Sequence, residues 1–150
     1  VAMKDRPSRI KIQIINGPNL NILGQREKDI YGEDSLLAIQ SYVEEKIKGL
    51  PVALSWFQSN IEGEIVNEIQ RSLAKEVALL VINPGGYSHT SVAIYDALKA
   101  LPCKKVEVHL TNTHKREDFR RNRITAGAVD VIIEGAGKDS YLLAILSQTF

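Results

Sequence analysis

Cysteine is nearly absent from this chain of 150 residues. The one present, Cys103, cannot close a disulfide within the chain, which fits a reducing compartment; its expected role is a small buried hydrophobe. Excess charge is absent too. Nineteen Lys and Arg against 18 Asp and Glu leave a net charge of +1, so bulk electrostatics favours neither nucleic acid nor an anionic membrane as partner. No apolar run approaches the ~20 residues of a membrane span. The opening V-A-M-K-D-R-P-S lacks the apolar core of a signal peptide, so the expected location is cytoplasmic. Common cofactor motifs are missing as well: there is no G-x-G-x-x-G, no Walker A pattern, and no run of Ser and Thr after the first strand for a flavin phosphate. No His, Cys or carboxylate cluster has metal-site spacing, and no serine sits in a nucleophile elbow.

What is there has the composition of a globular domain, 44% apolar and 25% charged. Five apolar, β-branched runs are read as strands: Ile10–Ile15, Val52–Phe57, Val77–Ile82, Lys105–His109 and Val129–Ile133. A helical pattern follows each. Ser35 caps the first, with Leu36, Ile39, Val43, Ile47 and Leu50 inward; Ser59 or Asn60 caps the second, with Ile61, Ile65, Ile69 and Leu73 on one face. The third opens within Ser88–Ser91 and turns Val92, Ala93, Ala97, Leu98 and Leu101 inward; a short charged helix covers Arg116–Arg121, and the last begins at Asp139 or Ser140. This alternation predicts an α/β fold. It is a flavodoxin-like, doubly wound, five-stranded parallel sheet of order 2-1-3-4-5, with helices on both faces. Residues 1–9 are expected to form a partly disordered extension and 10–150 a single domain.

In that strand order, ligands bind beyond the carboxyl ends of the strands, between the first and third. Both run into unusual polar loops. The first leads into N-G-P-N-L-N and on to Gly32, a connection far longer than the usual two to six residues. It carries Asn19, Asn21, Arg26 and Tyr31, and residues 25–32 are read as a lid. The third leads into N-P-G-G-Y-S-H-T-S, with His89 in the turn; a plain capping turn fits this stretch as well. On the fourth strand, alternation puts Glu107 and His109 on one face, where a carboxylate orients an imidazole for acid or base work; a surface strand end is the plainer alternative. Arg116 and Arg120 are four apart and suit a carboxylate, though alternating charges also describe a solvated helix. Tyr31 becomes a base near neutral pH only if positive charge stabilises its phenolate, and Arg26 is the nearest candidate; a loop with Tyr and Arg is otherwise ordinary.

Four stretches together resemble one family, the type II 3-dehydroquinate dehydratases: N-G-P-N-L-N-I-L-G-Q-R-E-x-x-x-Y-G, F-Q-S-N-I-E-G-E, I-N-P-G-G-Y-S-H-T-S-V-A-I-Y-D-A-L and V-E-V-H-L-T-N-T-H-K-R-E-D-F-R. They fall in order and span nearly the whole chain from Ile10. The resemblance implies trans-dehydration of 3-dehydroquinate to 3-dehydroshikimate through an enolate, with no metal or organic cofactor. Tyr31 matches the family's proton acceptor, Arg26 the arginine that favours phenolate and transition state, and Asn19 the group that stabilises the enolate through a water. His109 matches the proton donor to the leaving hydroxyl, supported by Glu107. Asn83, His89, Arg120 and the backbone of Leu110 and Thr111 match substrate-binding positions. Asp96 matches an acidic residue that reaches a neighbouring subunit's site, and Arg116 matches a helix arginine of less definite role. The family assembles as trimers, four of which form a dodecamer.

The chain departs from the family pattern at Lys28 (often proline), Ser88 (often threonine), Asn122–Arg123 (often His-Ser) and Asp130 (usually small). None removes a matched catalytic position. Two other readings stand beside this one. A signalling module of the same fold needs an acidic cluster after the first strand, where this chain has asparagines. A catalytically weak, hydroxy-acid-binding relative is the other.

Overall fold

Val, Ile and Leu dominate the strand runs because β-branched side chains fit a pleated surface buried on both sides. In the computed structural model, which describes residues 9–25, 27–32 and 34–149 and of Lys28 and Tyr31 the backbone alone, these runs form one parallel sheet. Its strands are β1 (Ile10–Asn16), β2 (Val52–Gln58), β3 (Leu79–Asn83), β4 (Lys104–His109) and β5 (Val131–Glu134), in the order β2-β1-β3-β4-β5. The helices are α1 (Lys28–Tyr31), α2 (Leu36–Lys46), α3 (Glu62–Ala74), α4 (Val92–Ala100) and α5 (Asp139–Thr149). Fold class and strand order agree with the sequence. Most of the N-terminal extension lies outside the described residues.

Strand alternation splits the core in two. Ile12, Ile14, Leu79, Val81, Val106 and Val108 face α2 and α5, meeting Ile39, Val43, Tyr141 and Ile145. Ile15, Leu80 and Ile82 face α3 and α4, meeting Ile65, Ile69, Ile94 and Leu98. The same alternation carries Glu107 and His109 to the α4 side, and Asn16 and Asn83 to the α5 side, at the carboxyl end of the sheet.

Three helices differ from expectation. Ser35 caps α2 as read, its hydroxyl accepting from the Ala38 amide. In α3 the inward face is Ile65, Glu68, Ile69 and Ser72, while Ile61 and Leu73 are half exposed or more. Only its middle turns meet the sheet, and Ile61 itself takes the N-cap position. Ser59 still contributes, accepting from the Ile61 amide and donating to Glu64. In α4, Ile94 with Ala97, Leu98 and Leu101 is inward, whereas Val92 and Ala93 are exposed. The charged stretch 116–121 is no α-helix but two 3-10 turns, Thr113–Lys115 and Asp118–Arg121, with Arg116 extended between them. It has no apolar stripe to pack, so its charges pair locally: Arg120 with Glu117 at 2.5 Å and Arg121 with Asp118 at 3.8 Å.

The strand β5 begins two residues later than expected, after a 3-10 turn at Thr125–Ala128. Asp130 stands at its mouth and accepts from the Lys105 amide at 2.9 Å. Cys103 is half-buried, and burial pushes its thiol up, away from the reactive thiolate.

Candidate active site

The loops after β1 and β3 are pressed together by glycine. A Cβ on Gly17 would lie 2.4 Å from the Pro84 carbonyl oxygen, and Gly85 holds φ +59 with Pro18 against it. The Gly17 amide donates to the Asn83 carbonyl at 2.8 Å. Asn19, at φ 69, takes a left-handed turn that asparagine tolerates, and its amide donates to Asn60 Oδ1 at 3.0 Å. Asn60 is itself held by Gln58 at 3.1 Å, so the Q-S-N stretch after β2 braces the first loop from outside.

The crevice between these loops and β4 is lined by Asn19, Asn83, His89, His109, Leu110, Thr111, Arg116 and Arg120, with Pro18, Leu20, Gly85, Gly86 and Thr113. Every substrate-binding position read from the sequence except Asp96 is in that lining. Glu107 stands directly behind it. Asp96 is exposed on α4, away from the crevice. Arg26 lies outside the described residues, as do the side chains of Tyr31 and Lys28.

At the floor, His109 Nε2 meets Glu107 Oε2 at 2.8 Å, with Glu107 wholly buried and His109 nearly so. A carboxylate only accepts, so Nε2 carries the hydrogen and Nδ1 is the ring nitrogen left for the crevice. The other carboxylate oxygen accepts from the Thr125 hydroxyl at 2.5 Å. His89 Nδ1 donates to the Asn122 carbonyl at 2.8 Å, which leaves Nε2 as an acceptor. Burial holds the His89 ring below the ordinary histidine range, and Arg120, His109 and Arg123 push the same way against the Asn122 carbonyl. A neutral His89 with Nε2 free to accept from a hydroxyl donor therefore lines the same crevice as a His109 that presents Nδ1.

Asn83 is fixed at both ends. Its Oδ1 accepts from the Gly85 amide and its Nδ2 donates to the Tyr141 hydroxyl, both at 3.2 Å; that hydroxyl in turn donates to Asn16 Oδ1. Complete burial pushes the Tyr141 hydroxyl far above the ordinary tyrosine range, so it serves as a structural tether and not as a base. Opposite, Arg116 and Arg120 bring two guanidiniums to one side of the crevice, Arg116 reaching the Thr111 hydroxyl at 3.5 Å and Arg120 stacking over Phe119. They converge although they share no α-helical face. Such an arrangement suits a small carboxylate bearing several hydroxyls: cations for the acid, asparagine and His89 for the hydroxyls, and a poised imidazole for a proton transfer.

Sequence reasoning missed Thr125, Tyr141 and the Arg123–Glu134 pair. Burial pushes the Glu134 carboxyl up, but Arg123, His114 and Thr113 together hold it below the usual range. Tyr141 reads in sequence as one more inward residue of an apolar helix. Thr125 sits in a stretch without periodicity, so neither carried a signal.

The chain matches the protein family described as Dehydroquinase class II over residues 10–149. It is 49% identical over 136 residues to a 3-dehydroquinate dehydratase of Clostridium perfringens strain SM101, covering 91% of this chain and 93% of that protein. A 3-dehydroquinate dehydratase of Fusobacterium nucleatum is 49% identical over 141 residues, covering 91% and 95%. Among solved structures, the type II dehydroquinase from Butyrivibrio crossotus superposes with a TM-score of 0.92 at 40% identity, covering 95% of this chain and 99% of that one.

Proposed function

The chain belongs to the class II dehydroquinase family and dehydrates 3-dehydroquinate, and we propose that it does so by trans-elimination through an enolate, giving 3-dehydroshikimate. The observation that carries the residue roles is the buried Glu107–His109 pair opening on a crevice of asparagines and arginines. Removing a proton beside a ketone and a hydroxyl one carbon further on needs three things: a base, donors for the enolate oxygen, and an acid for the leaving group.

In this reading Tyr31 takes the C2 proton as a phenolate, favoured by Arg26. Electron density moves onto the carbonyl oxygen, which Asn19 stabilises through a water. The enolate then re-forms its ketone as the C1–O bond breaks. His109, acting as the imidazolium with Nε2–H held on Glu107, gives its Nδ1 proton to that oxygen, which leaves as water, and the ring returns to the neutral Nε2–H tautomer. Glu107 sets which imidazole nitrogen faces the substrate. Arg120, with Arg116 beside it, and the Leu110–Thr111 backbone take the carboxylate; Asn83 and the Nε2 acceptor of His89 take hydroxyls. The lid 25–32 brings Tyr31 and Arg26 to the seated substrate and excludes water. No metal or organic cofactor enters any of these steps.

The assembly follows the family: trimers, four to a dodecamer, with Asp96 reaching a neighbour's site. Its exposure on α4, one turn from the exposed Val92, supports that placement. The location is cytoplasmic, and the reaction serves the shikimate pathway or quinate breakdown. Purified protein given 3-dehydroquinate is expected to produce an enone that absorbs in the ultraviolet. No absorbance change at substrate levels well above the usual KM range would remove the catalytic reading and leave a binding module.

A further inference from the structure

Four consecutive residues, Asn122 to Thr125, each hold a different part of the crevice. The Asn122 carbonyl accepts from His89 Nδ1 at 2.8 Å, and the Ile124 amide donates to the Ser88 carbonyl at 2.7 Å. Arg123 pairs with Glu134, the residue in register with His109 across β4 and β5. The Thr125 hydroxyl donates to Glu107 Oε1 at 2.5 Å. Two of these contacts are made by backbone groups, which any side chain supplies. That is why an asparagine at 122 leaves the His89 contact intact. Arg123 adds an ion pair of its own. Only at Thr125 does a side chain touch the proton-transfer pair itself.

Thr125 and Glu107 are both fully buried. A carboxylate out of water is costly unless its oxygens are hydrogen-bonded. Here one oxygen has His109 and the other has Thr125, so the carboxylate is pinned at both corners and cannot rotate away from the imidazole. Resting on the role given to His109 above, we propose that Thr125 is a positioning residue for the reaction. Its hydroxyl locks the Glu107 carboxylate, which locks the ring so that Nε2 is protonated and Nδ1 faces the substrate. The strap 122–125 thereby ties the orientation of both crevice histidines to one short segment.

The test replaces the hydroxyl by a methyl of the same size. Thr125→Val is expected to lower kcat about tenfold or more, the loss of one hydrogen bond to a charged group, with KM within about twofold because no substrate contact is touched. Thr125→Ser keeps the hydroxyl and is expected to restore most of kcat. In nitrogen-15 spectra of the ligand-free protein, recorded on the alkaline side where the imidazole is neutral, His109 should show the Nε2–H tautomer in wild type and a mixture of tautomers in Thr125→Val. Wild-type kcat in Thr125→Val would overturn the proposal, and so would a Thr125→Ser variant as slow as the valine. Should the valine variant fail to fold, Thr125→Ala against Thr125→Ser makes the same comparison. If the wild type proves inactive on 3-dehydroquinate, the functional reading fails, while the tautomer spectra still decide whether Thr125 orients the ring.

Discussion

At the crevice floor, Asn16, Asn83, Glu107 and Tyr141 are almost sealed from solvent, and each is joined to another part of the fold by side-chain hydrogen bonds. In the lid segment, Gln25, Glu27, Asp29, Ile30 and Gly32 are exposed, as is Asp34 just beyond it. Among the described residues its backbone bonds are short in range, Gln25 to Ile22 and Ile30 to Glu27, and Asp34 beyond it pairs with Lys138 at 3.5 Å. The floor is therefore organised before substrate arrives, at the cost of burying polar groups. The chemistry proposed for the lid would be kept where little of the core depends on it. A change in the floor should damage folding and turnover together, while a change in the lid should damage turnover alone.

The largest effect is expected in the lid. Tyr31→Phe removes the proposed base and should lower kcat about a thousandfold, with the melting temperature and circular dichroism of the wild type. Near-wild-type turnover would move the base elsewhere. In the floor, His109→Ala should lower kcat about a hundredfold. It also leaves the Glu107 carboxylate buried with Thr125 but without its hydrogen bond from the imidazole, a loss of about 1–3 kcal/mol. Urea unfolding of the two variants side by side reads the contrast directly. Equal stability of the two would break it.

That contrast also explains what the sequence could tell. The sheet order was legible because both strand faces are buried, so β-branched runs and turn residues repeat without interruption. Asn83, Glu107 and His109 were legible because they sit at strand ends, and His89 because it sits in the turn that follows one, where topology alone says ligands bind. The stretch 113–128 was not. Its turns are stabilised by ion pairs and by single bonds to distant residues, such as Thr125 to Glu107 and Arg123 to Glu134, and no local periodicity encodes those partners. Arg116 and Arg120 reached the crevice anyway, by a turn rather than a shared helical face. Likewise Tyr141 looked like any inward position of α5, because its hydroxyl finds partners only after β1 and β3 are in place.

A smaller effect follows from that tether. Tyr141→Phe keeps the ring against Trp56 but leaves the Asn83 amide and Asn16 Oδ1 buried without this partner. The expected loss is about 1–3 kcal/mol in stability, with a rise in KM as the Asn83 amide loses its fixed orientation. A Tyr141→Phe protein with wild-type stability and KM would mean that Gly85 alone holds Asn83.

The smallest effect is the pH dependence carried by His89, because this ring sits at the rim between floor and solvent. Burial lowers its pKa, and the cations of Arg120 and Arg123 add to that, so the folded protein takes up this proton at lower pH than the unfolded chain does. The sign is then fixed. Stability linked to the neutral ring is complete above the unfolded value of about 6.5, and it is lost as pH falls through the lower folded value. The same protonation turns Nε2 from acceptor to donor, so KM should rise over the same window while the Asn122 carbonyl keeps its bond to Nδ1. Comparing wild type with His89→Gln by urea unfolding between about pH 7 and pH 5 isolates this share. An identical decline in both proteins would assign the acid sensitivity to other groups. A ring that titrates above the ordinary histidine range would reverse the sign, and would mean that the Asn122 carbonyl outweighs burial and the neighbouring arginines.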